Sequence, residues 1–321
     1  MSSPQSFLSR MQDISSVRKS QAAPVLDTAL IQPFYSYNHD PGRQEWQPAR
    51  SSSNSSVSHG ESQQVAAGVL RLITWNIDFQ IPAANERMSA ALQYLAQLLY
   101  NNPDQNHDIP TVIFFQEMVL SDIELIKDTR WIREGFYVTD TSGSATLVIN
   151  VHQTQPIQAP AKSSVYAILI LKALCLSRQS GQSNSKSRPS EEEAVVLPTP
   201  HAALLAGDLN AFAPEDGTAP TECGLQDVFL KLGGQEGTEE AFTWGQQVPR
   251  YIKKKFGCSR MDKVLFCGGI EPLRLQKIGE GVKAWVQYPE QSDEDSTDST
   301  DDGEEVWATD HIGLCAELKI L

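Results

Sequence analysis

The chain has 321 residues, 40% of them hydrophobic, and a formal net charge of −14, which allows one sizeable core with polar stretches left outside it. Its five cysteines, Cys175, Cys223, Cys258, Cys267 and Cys315, are scattered and odd in number, a pattern that argues against a disulfide framework or a structural zinc site and fits a reducing compartment. No apolar run reaches membrane-spanning length, and Val165–Leu176, interrupted by Lys172, reads as a buried element.

Residues 1–65 are rich in Ser, Gln and Pro and read as a mostly disordered N-terminal tail. Within it, Phe34, Tyr35, Tyr37 and Trp46 are aromatic enough to dock on the domain that follows. The tail lacks an apolar signal-peptide core. Its serines with Arg10, Arg18 and Lys19 leave a mitochondrial transit peptide open, behind a nuclear or cytoplasmic location. Residues 66–321 carry the periodic patterns of one domain. Leu70–Ile77 is a short apolar run suited to a buried strand, and Met88, Leu92, Leu95 and Leu99 place an amphipathic helix over Asn85–Tyr100. Further strands are expected at Thr111–Phe115, Ala202–Ala206, Lys263–Cys267 and Ile312–Ile320, with a helix from Ser121 to about Gly135. Strands and helices mixed in this way indicate an α/β or α+β domain. Two polar insertions interrupt it, at about 179–200 and 290–305. The second holds eight acids between 293 and 305 and no Lys or Arg, so more than half of the net negative charge sits there.

Polar residues of one chemical kind stand at the tips of the apolar runs. The first run ends in Asn76 and Asp78, the second in Gln116 and Glu117, the third in Asp208 and Asn210. The fourth starts beside Arg260 and Asp262, the fifth at Asp310 and His311. Strands that end at one sheet edge bring such side chains together. Carboxylates and amides without cysteine suit a hard cation, Mg²⁺ or Mn²⁺, and an imidazole beside a carboxylate can contact or protonate a phosphate oxygen. Any one Asp or Asn at a strand end is ordinarily a turn residue; the ordered set is what points to a phosphoester site. Arg250, Lys253, Lys254, Lys255 and Arg260 form the densest basic stretch, readable as a contact for nucleic-acid phosphates or as a solvated loop. In Phe242-Thr243-Trp244, Trp244 can stack on a base, although core packing is the commoner fate of an aromatic.

Thr74-Trp75-Asn76-Ile77-Asp78, Phe115-Gln116-Glu117, Gly207-Asp208-Leu209-Asn210, Arg260-Met261-Asp262 and Thr309-Asp310-His311-Ile312-Gly313-Leu314 resemble the motifs of the endonuclease/exonuclease/phosphatase superfamily. The first motif, with Glu86-Arg87 after it, is most similar to the 5′-tyrosyl-DNA phosphodiesterase branch. The resemblance implies a DNase I-like four-layer sandwich, two packed mixed sheets flanked by helices. It also implies a Mg²⁺-dependent phosphodiesterase (Mn²⁺ as a substitute) acting on DNA with a 5′-blocking group, a 5′-phosphotyrosine in DNA repair. By position, Glu117 would be the principal metal ligand, with Asn76, Asp78 and Asp310 completing the metal and phosphate-oxygen shell. Asp208 would orient or deprotonate the attacking water, Asn210 would hold a phosphate oxygen, and His311, fixed by Asp262, would stabilise the transition state. Arg260, Lys254, Trp244 and His152 are the substrate-binding candidates. His152 is among them because Asn150-Val151-His152 stands where the family has a Ser/Thr-His-Leu motif. The stretch between Glu117 and Asp208 is shorter than in the family, which keeps two alternatives in play: another phosphoester substrate on the same fold, as an endonuclease, exonuclease or phosphatase, and a shortened, inactive member.

Overall fold

The computed structural model describes residues 34–49, 68–101, 109–139, 165–171, 202–211, 214–287 and 303–321. The strands are β1 (Tyr35–Asn38), β2 (Glu45–Pro48), β3 (Val69–Asn76), β4 (Thr111–Met118), β5 (Phe136–Val138), β6 (Val165–Leu171), β7 (Ala202–Asp208), β8 (Gln226–Asp227), β9 (Asp262–Gly268), β10 (Ile270–Ile278), β11 (Lys283–Gln287), β12 (Gly303–Trp307) and β13 (Gly313–Ile320). Eight of them form one sheet in the order β10-β13-β3-β4-β6-β5-β1-β2; β7-β9-β8 form a second sheet and β11-β12 a hairpin. In the large sheet β3 and β4 run parallel, and β13 lies antiparallel to β3.

Alternation along the central strands divides the core in two. Ile73 and Trp75 on β3 and Ile77 just past its end, with Ile113 and Phe115 on β4, face a helical layer made of α1 (Ala84–Ala96), α2 (Leu120–Asp128) and α3 (Arg130–Gly135). That layer contributes Met88, Leu92, Leu95, Ile123, Ile126 and Ile132. Leu72, with Leu314, Ala316 and Leu318 on β13, faces the other way, onto Val264 and Phe266 of β9. Period-two side-chain alternation thus lets one sheet serve two cores. Trp75 sits at the hinge of the first core with no exposed surface. It fits only because Gly279 and Gly313 approach it without side chains: a Cβ on either would come within 2.2 and 2.8 Å of its ring.

The expected strands at 70–77, 111–115, 202–206, 263–267 and 312–320 are present with ends moved by one to three residues, and helices lie outside the larger of two packed sheets. On the outer face of the three-stranded sheet Leu205 is 42% exposed, whereas its register partner Leu265 is 2% exposed, so that face is covered along β9. The helix expected over Asn85–Tyr100 changes character at Gln97, from where a π-turn runs to Asn101. The helix expected from Ser121 to Gly135 is broken at Thr129, whose hydroxyl turns back to donate to the Leu125 carbonyl at 2.7 Å. Within the stretch expected to be a tail, residues 34–49 form the β1–β2 hairpin, which extends the sheet beyond β5. Trp46 anchors it by donating to the Lys127 carbonyl at 3.3 Å, and Tyr35 and Trp46 pack on the first core. The insertion at 179–200, residues 290–302 of the second and His152 lie outside the described residues; Gly303–Glu305, expected to end the second insertion, belong instead to β12, paired with β11.

Candidate active site

Five chain segments reach the same edge of the two sheets. Parallel pairing sets Asn76 beside Gln116, so the ends of β3 and β4, and the residues just past them, emerge together. In the second sheet Asp208 and Asp262 are register partners across β7 and β9, which puts their side chains on one face. The β12–β13 connection adds Asp310 and His311, held down by two buried bonds: Thr309 Oγ1 donates to the Asn76 carbonyl at 2.8 Å and Trp75 Nε1 to the His311 carbonyl at 3.2 Å.

Asn76 is the hub. It has no exposed surface, its Oδ1 accepts from the Asp78 N–H at 2.8 Å, and its Nδ2 donates to Asp208 Oδ2 at 3.0 Å. In this geometry Asn76 offers N–H groups to the site. Asp208 also accepts from the Asn210 backbone N–H at 2.8 Å and from Asn210 Nδ2 at 3.2 Å. The His311 ring is oriented by Asp262, whose Oδ2 lies 2.8 Å from Nδ1, and its Nε2 stands 3.8 Å from both Asp208 Oδ2 and Asp310 Oδ1. The imidazole therefore points one nitrogen at a buried carboxylate and the other into the site, the arrangement that fixes orientation and charge at once.

The electrostatics follow from burying so many acids together. Desolvation, reinforced by Asp208 and Asp78, raises the Glu117 carboxyl to about 7. Desolvation and Asp310 raise Asp78 to about 6, and burial with the Asp262 charge pushes Asp208 up. Burial pulls His311 down, but Asp262, Asp310 and Asp208 outweigh it and hold the ring up to about 10, so it stays cationic at neutral pH. Among the described residues no three His, Cys, Asp or Glu are already closed into a metal cage. What stands there is a group of oxygen donors short of positive charge, with Asp310 Oδ1 buried and without a hydrogen-bond partner. That donor chemistry fits a hard divalent cation.

Three of the site residues have a left-handed backbone: Asp78 (φ 52°), Glu117 (φ 55°) and Asn210 (φ 49°). Phe242-Thr243-Trp244 plays a part that its sequence does not announce. Thr243 Oγ1 accepts from the Met261 and Asp262 N–H groups at 3.1 and 3.0 Å, and its carbonyl accepts from Ile312 N–H at 2.7 Å. Trp244 Nε1 donates to Asp310 Oδ2 at 2.6 Å. Trp244 is thus neither a plain core residue nor a free stacking surface; it holds a carboxylate. The only advance sign is hydrogen-bonding tips in a run otherwise fit for a core.

Arg260 corrects one expectation. Its guanidinium is 6% exposed. It pairs with Asp227 at 2.8 Å, binds both oxygens of Glu236, and lies 5.1 Å over the Phe229 ring. With all three of its nitrogens committed to two carboxylates, the buried guanidinium supports the loop before Asp262 rather than facing a substrate. Lys254 differs. It lies exposed on α6 (Arg250–Phe256), which follows the short helices α4 (Ala219–Glu222) and α5 (Val228–Lys231). With it stand Arg250, Lys253 and Lys255, next to Tyr251, which is 72% exposed. Both ends of the segment around α6 return to the site, through the bridges that Trp244 makes to Ser259 and His311.

The model of the endonuclease/exonuclease/phosphatase family matches residues 73–311, a span that contains Asn76, Asp78, Glu117, Asp208, Asn210, Asp262 and Asp310 and ends on His311. The chain belongs to that family. Its members are hydrolytic enzymes with a DNase I-like fold, so the converging acids and His311 belong to a phosphoesterase fold. Among solved structures, the chain is similar to D. rerio TDP2 complexed with single-strand DNA product, at 17% identity and TM-score 0.43, covering 78% of this chain and 99% of that one. It is similar also to truncated Caenorhabditis elegans TDP2, at 15% identity and TM-score 0.43, over 78% and 98% of the two chains. A third is an endonuclease/exonuclease/phosphatase from Beutenbergia cavernae, at 14% identity and TM-score 0.37, over 79% and 72%. No curated protein matches the chain.

Proposed function

We propose that this family member is a divalent-metal-dependent phosphodiesterase that hydrolyses a blocked DNA 5′ end, of which 5′-phosphotyrosyl-DNA is the favoured form. The observation that carries the reading is the His311 imidazolium, fixed by Asp262 and aimed between Asp208 and Asp310, beside acids that burial holds partly protonated. Glu117 and Asp78 would hold the cation, Mg²⁺ or Mn²⁺, with Asp310 beside them. When bound, the ion would polarise a phosphoryl oxygen and offset charge on the leaving group.

The chain's own residues supply the rest. Asp208, its proton affinity raised by burial, is suited to orient a water and take a proton from it. The Asn76 and Asn210 amides and the His311 N–H are donors set around the position that a phosphate oxygen would take, and such preorganised donors stabilise charge that grows in the transition state. The preference for DNA rests on the exposed cations of α6 with Tyr251 among them, a basic surface with an aromatic for a base. The preference for a tyrosyl leaving group rests on the Thr74–Asp78 motif. A nuclear or cytoplasmic location accompanies this reading.

The deciding experiment incubates the full chain with a 5′-phosphotyrosyl oligonucleotide, in parallel with abasic-site DNA, an RNA 3′ end and a phosphoinositide. Turnover of the first in Mg²⁺, abolished by EDTA and by Glu117→Ala, is the expected result. Turnover of another substrate in preference reassigns the specificity, and no turnover of any of them in Mg²⁺ or Mn²⁺ overturns the enzyme reading.

A further inference from the structure

Behind the acids lie two charged side chains that touch no substrate position. Arg87 and Asp122 are each 1% exposed, on the first turns of α1 and α2. Arg87 spends its fork on backbone. Nη1 donates to the carbonyls of Asp78 at 3.1 Å and Ile81 at 3.0 Å; Nη2 donates to Asp78 at 3.0 Å and also to Ile77. Those three carbonyls belong to the loop that turns Asp78 into its left-handed conformation, the loop in which Asp78 Oδ1 accepts from Gln80 N–H at 3.0 Å. Asp122 does the equivalent for the other loop. Its Oδ2 accepts from Val119 N–H at 2.8 Å, two residues after the left-handed Glu117. Arg87 Nε and Asp122 Oδ1 are both buried without a hydrogen-bond partner, and the two groups attract one another electrostatically.

We propose that Arg87 and Asp122 are a buried positioning pair that couples the two left-handed loops, one presenting Asp78 and the other Glu117, so that the two carboxylates are held in register for one cation. This deepens the functional reading above and rests on it for the cation, though not for the coupling. The physical need is clear. Two backbones in a disfavoured conformation carry acids that repel each other, and each relaxes unless something outside the loop over-determines it. A guanidinium suits the task because its planar donors engage three carbonyls at once, which the point charge of a lysine does not. Asp122 adds the second half by its charge, which acts on the guanidinium across a gap while its Oδ2 holds the neighbouring loop. The charge serves orientation of the ligands from outside their own shell, a place where substitutions typically change metal affinity or activity by about 10- to 100-fold.

The test uses the full chain with Arg87→Lys and Asp122→Asn. The asparagine keeps an oxygen for the Val119 N–H but loses the charge. The first readout, hydrogen exchange of the metal-free protein, needs no activity. Asp122→Asn is expected to speed exchange of the Gln80 and Asp78 amides across the gap, on the loop that Asp122 does not itself cap. The second is Mg²⁺ titration, followed by thermal shift and by turnover. Both variants are expected to need about 10-fold or more Mg²⁺ for half-effect, with KM for the oligonucleotide unchanged. If Arg87→Lys does not fold, Asp122→Asn decides. Unchanged exchange on the far loop overturns the pair whatever Mg²⁺ does. Faster exchange with no Mg²⁺ response in the parent chain upholds the coupling and overturns the metal reading instead.

Discussion

At the residue scale, the left-handed backbone separates Glu117 from ordinary turn residues, whereas Asp78 and Asn210 are of types that take it readily. Of the four non-glycine residues with positive φ among the described residues, Asp78, Glu117 and Asn210 are in the site and Ala83 caps α1. A turn that needed only the conformation would be built with glycine, since a side chain there costs roughly 1 kcal/mol or more. Glu117 is kept in spite of that strain and in spite of burial that raises its carboxyl to about 7. Chemistry explains the retention where stability does not. Glu117→Gly and Glu117→Ala are therefore both expected to abolish hydrolysis. The glycine variant should be the more stable of the two by about 1 kcal/mol in denaturant unfolding, because only glycine takes this φ freely. Equal stabilities would show that the backbone is relaxed. The acids themselves are legible in the sequence, as polar tips on apolar runs. The φ values are not, because nothing in a one-dimensional pattern marks strain at a residue other than glycine.

Elements are legible in proportion to how much of them is buried. β3 and β4 are covered on both faces and read as continuous apolar runs, so the sequence shows them with only their ends displaced. β10 escapes it because it is the edge strand of the large sheet, alternating and carrying Pro272 beside a break in register, a residue that sheets confine to edges, strand starts and bulges. β11 and β12 bury little more than Ala284 and Val286. The segment whose importance the sequence hides most is the 242–244 connection. Thr243 ties the backbone of Met261 and Asp262 to that of Ile312, and so ties the base of His311 to the residue that orients it. Thr243→Val keeps the shape and leaves the buried Asp262 N–H and the half-buried Met261 N–H without their acceptor, a loss of about 1–3 kcal/mol for the buried one. It is expected to lower kcat as well as Tm, while Thr243→Ser restores kcat; a valine variant with full kcat would remove Thr243 from the site's support. On α6 the expectation is the reverse split. Replacing Lys253, Lys254 and Lys255 with Gln should raise KM for an oligonucleotide and leave kcat alone. The salt dependence should flatten by about 0.7 log unit per log salt for each phosphate that the helix no longer neutralises. An unchanged salt slope would make α6 a solvated surface.

For the whole molecule, the site is a source of instability that a bound cation would remove, and pH exposes it. In the metal-free chain Glu117 and Asp78 titrate at about 7 and about 6, against 4.5 and 3.8 for the ordinary groups. Between those limits the native state still holds protons that the unfolded chain has released, so the unfolded state binds fewer and unfolding becomes easier as pH rises. His311 continues the trend. Its folded value of about 10 lies above the ordinary 6.5, so its stabilising contribution is whole below 6.5 and is lost as pH climbs towards 10. Metal-free protein should accordingly be most stable near pH 4–5 and weaken steadily above it. The acids' share of the loss by pH 7.5 is on the order of 3 kcal/mol once solvent screening and their mutual coupling are allowed for. A divalent cation that binds the deprotonated acids acts in the opposite sense, adding about 2.7 kcal/mol at a hundred times its Kd, and more effectively at pH 7.5 than at pH 5 because the ligands must first lose their protons. Thermal unfolding from pH 5 to 8, with EDTA and with excess Mg²⁺, measures both slopes. Tm should fall with pH in EDTA, hold level in Mg²⁺, and fall less steeply in EDTA for Glu117→Gln. A flat EDTA curve would mean that the acids are already compensated within the protein, and a Mg²⁺ effect as large at pH 5 as at pH 7.5 would place the ion away from Glu117 and Asp78.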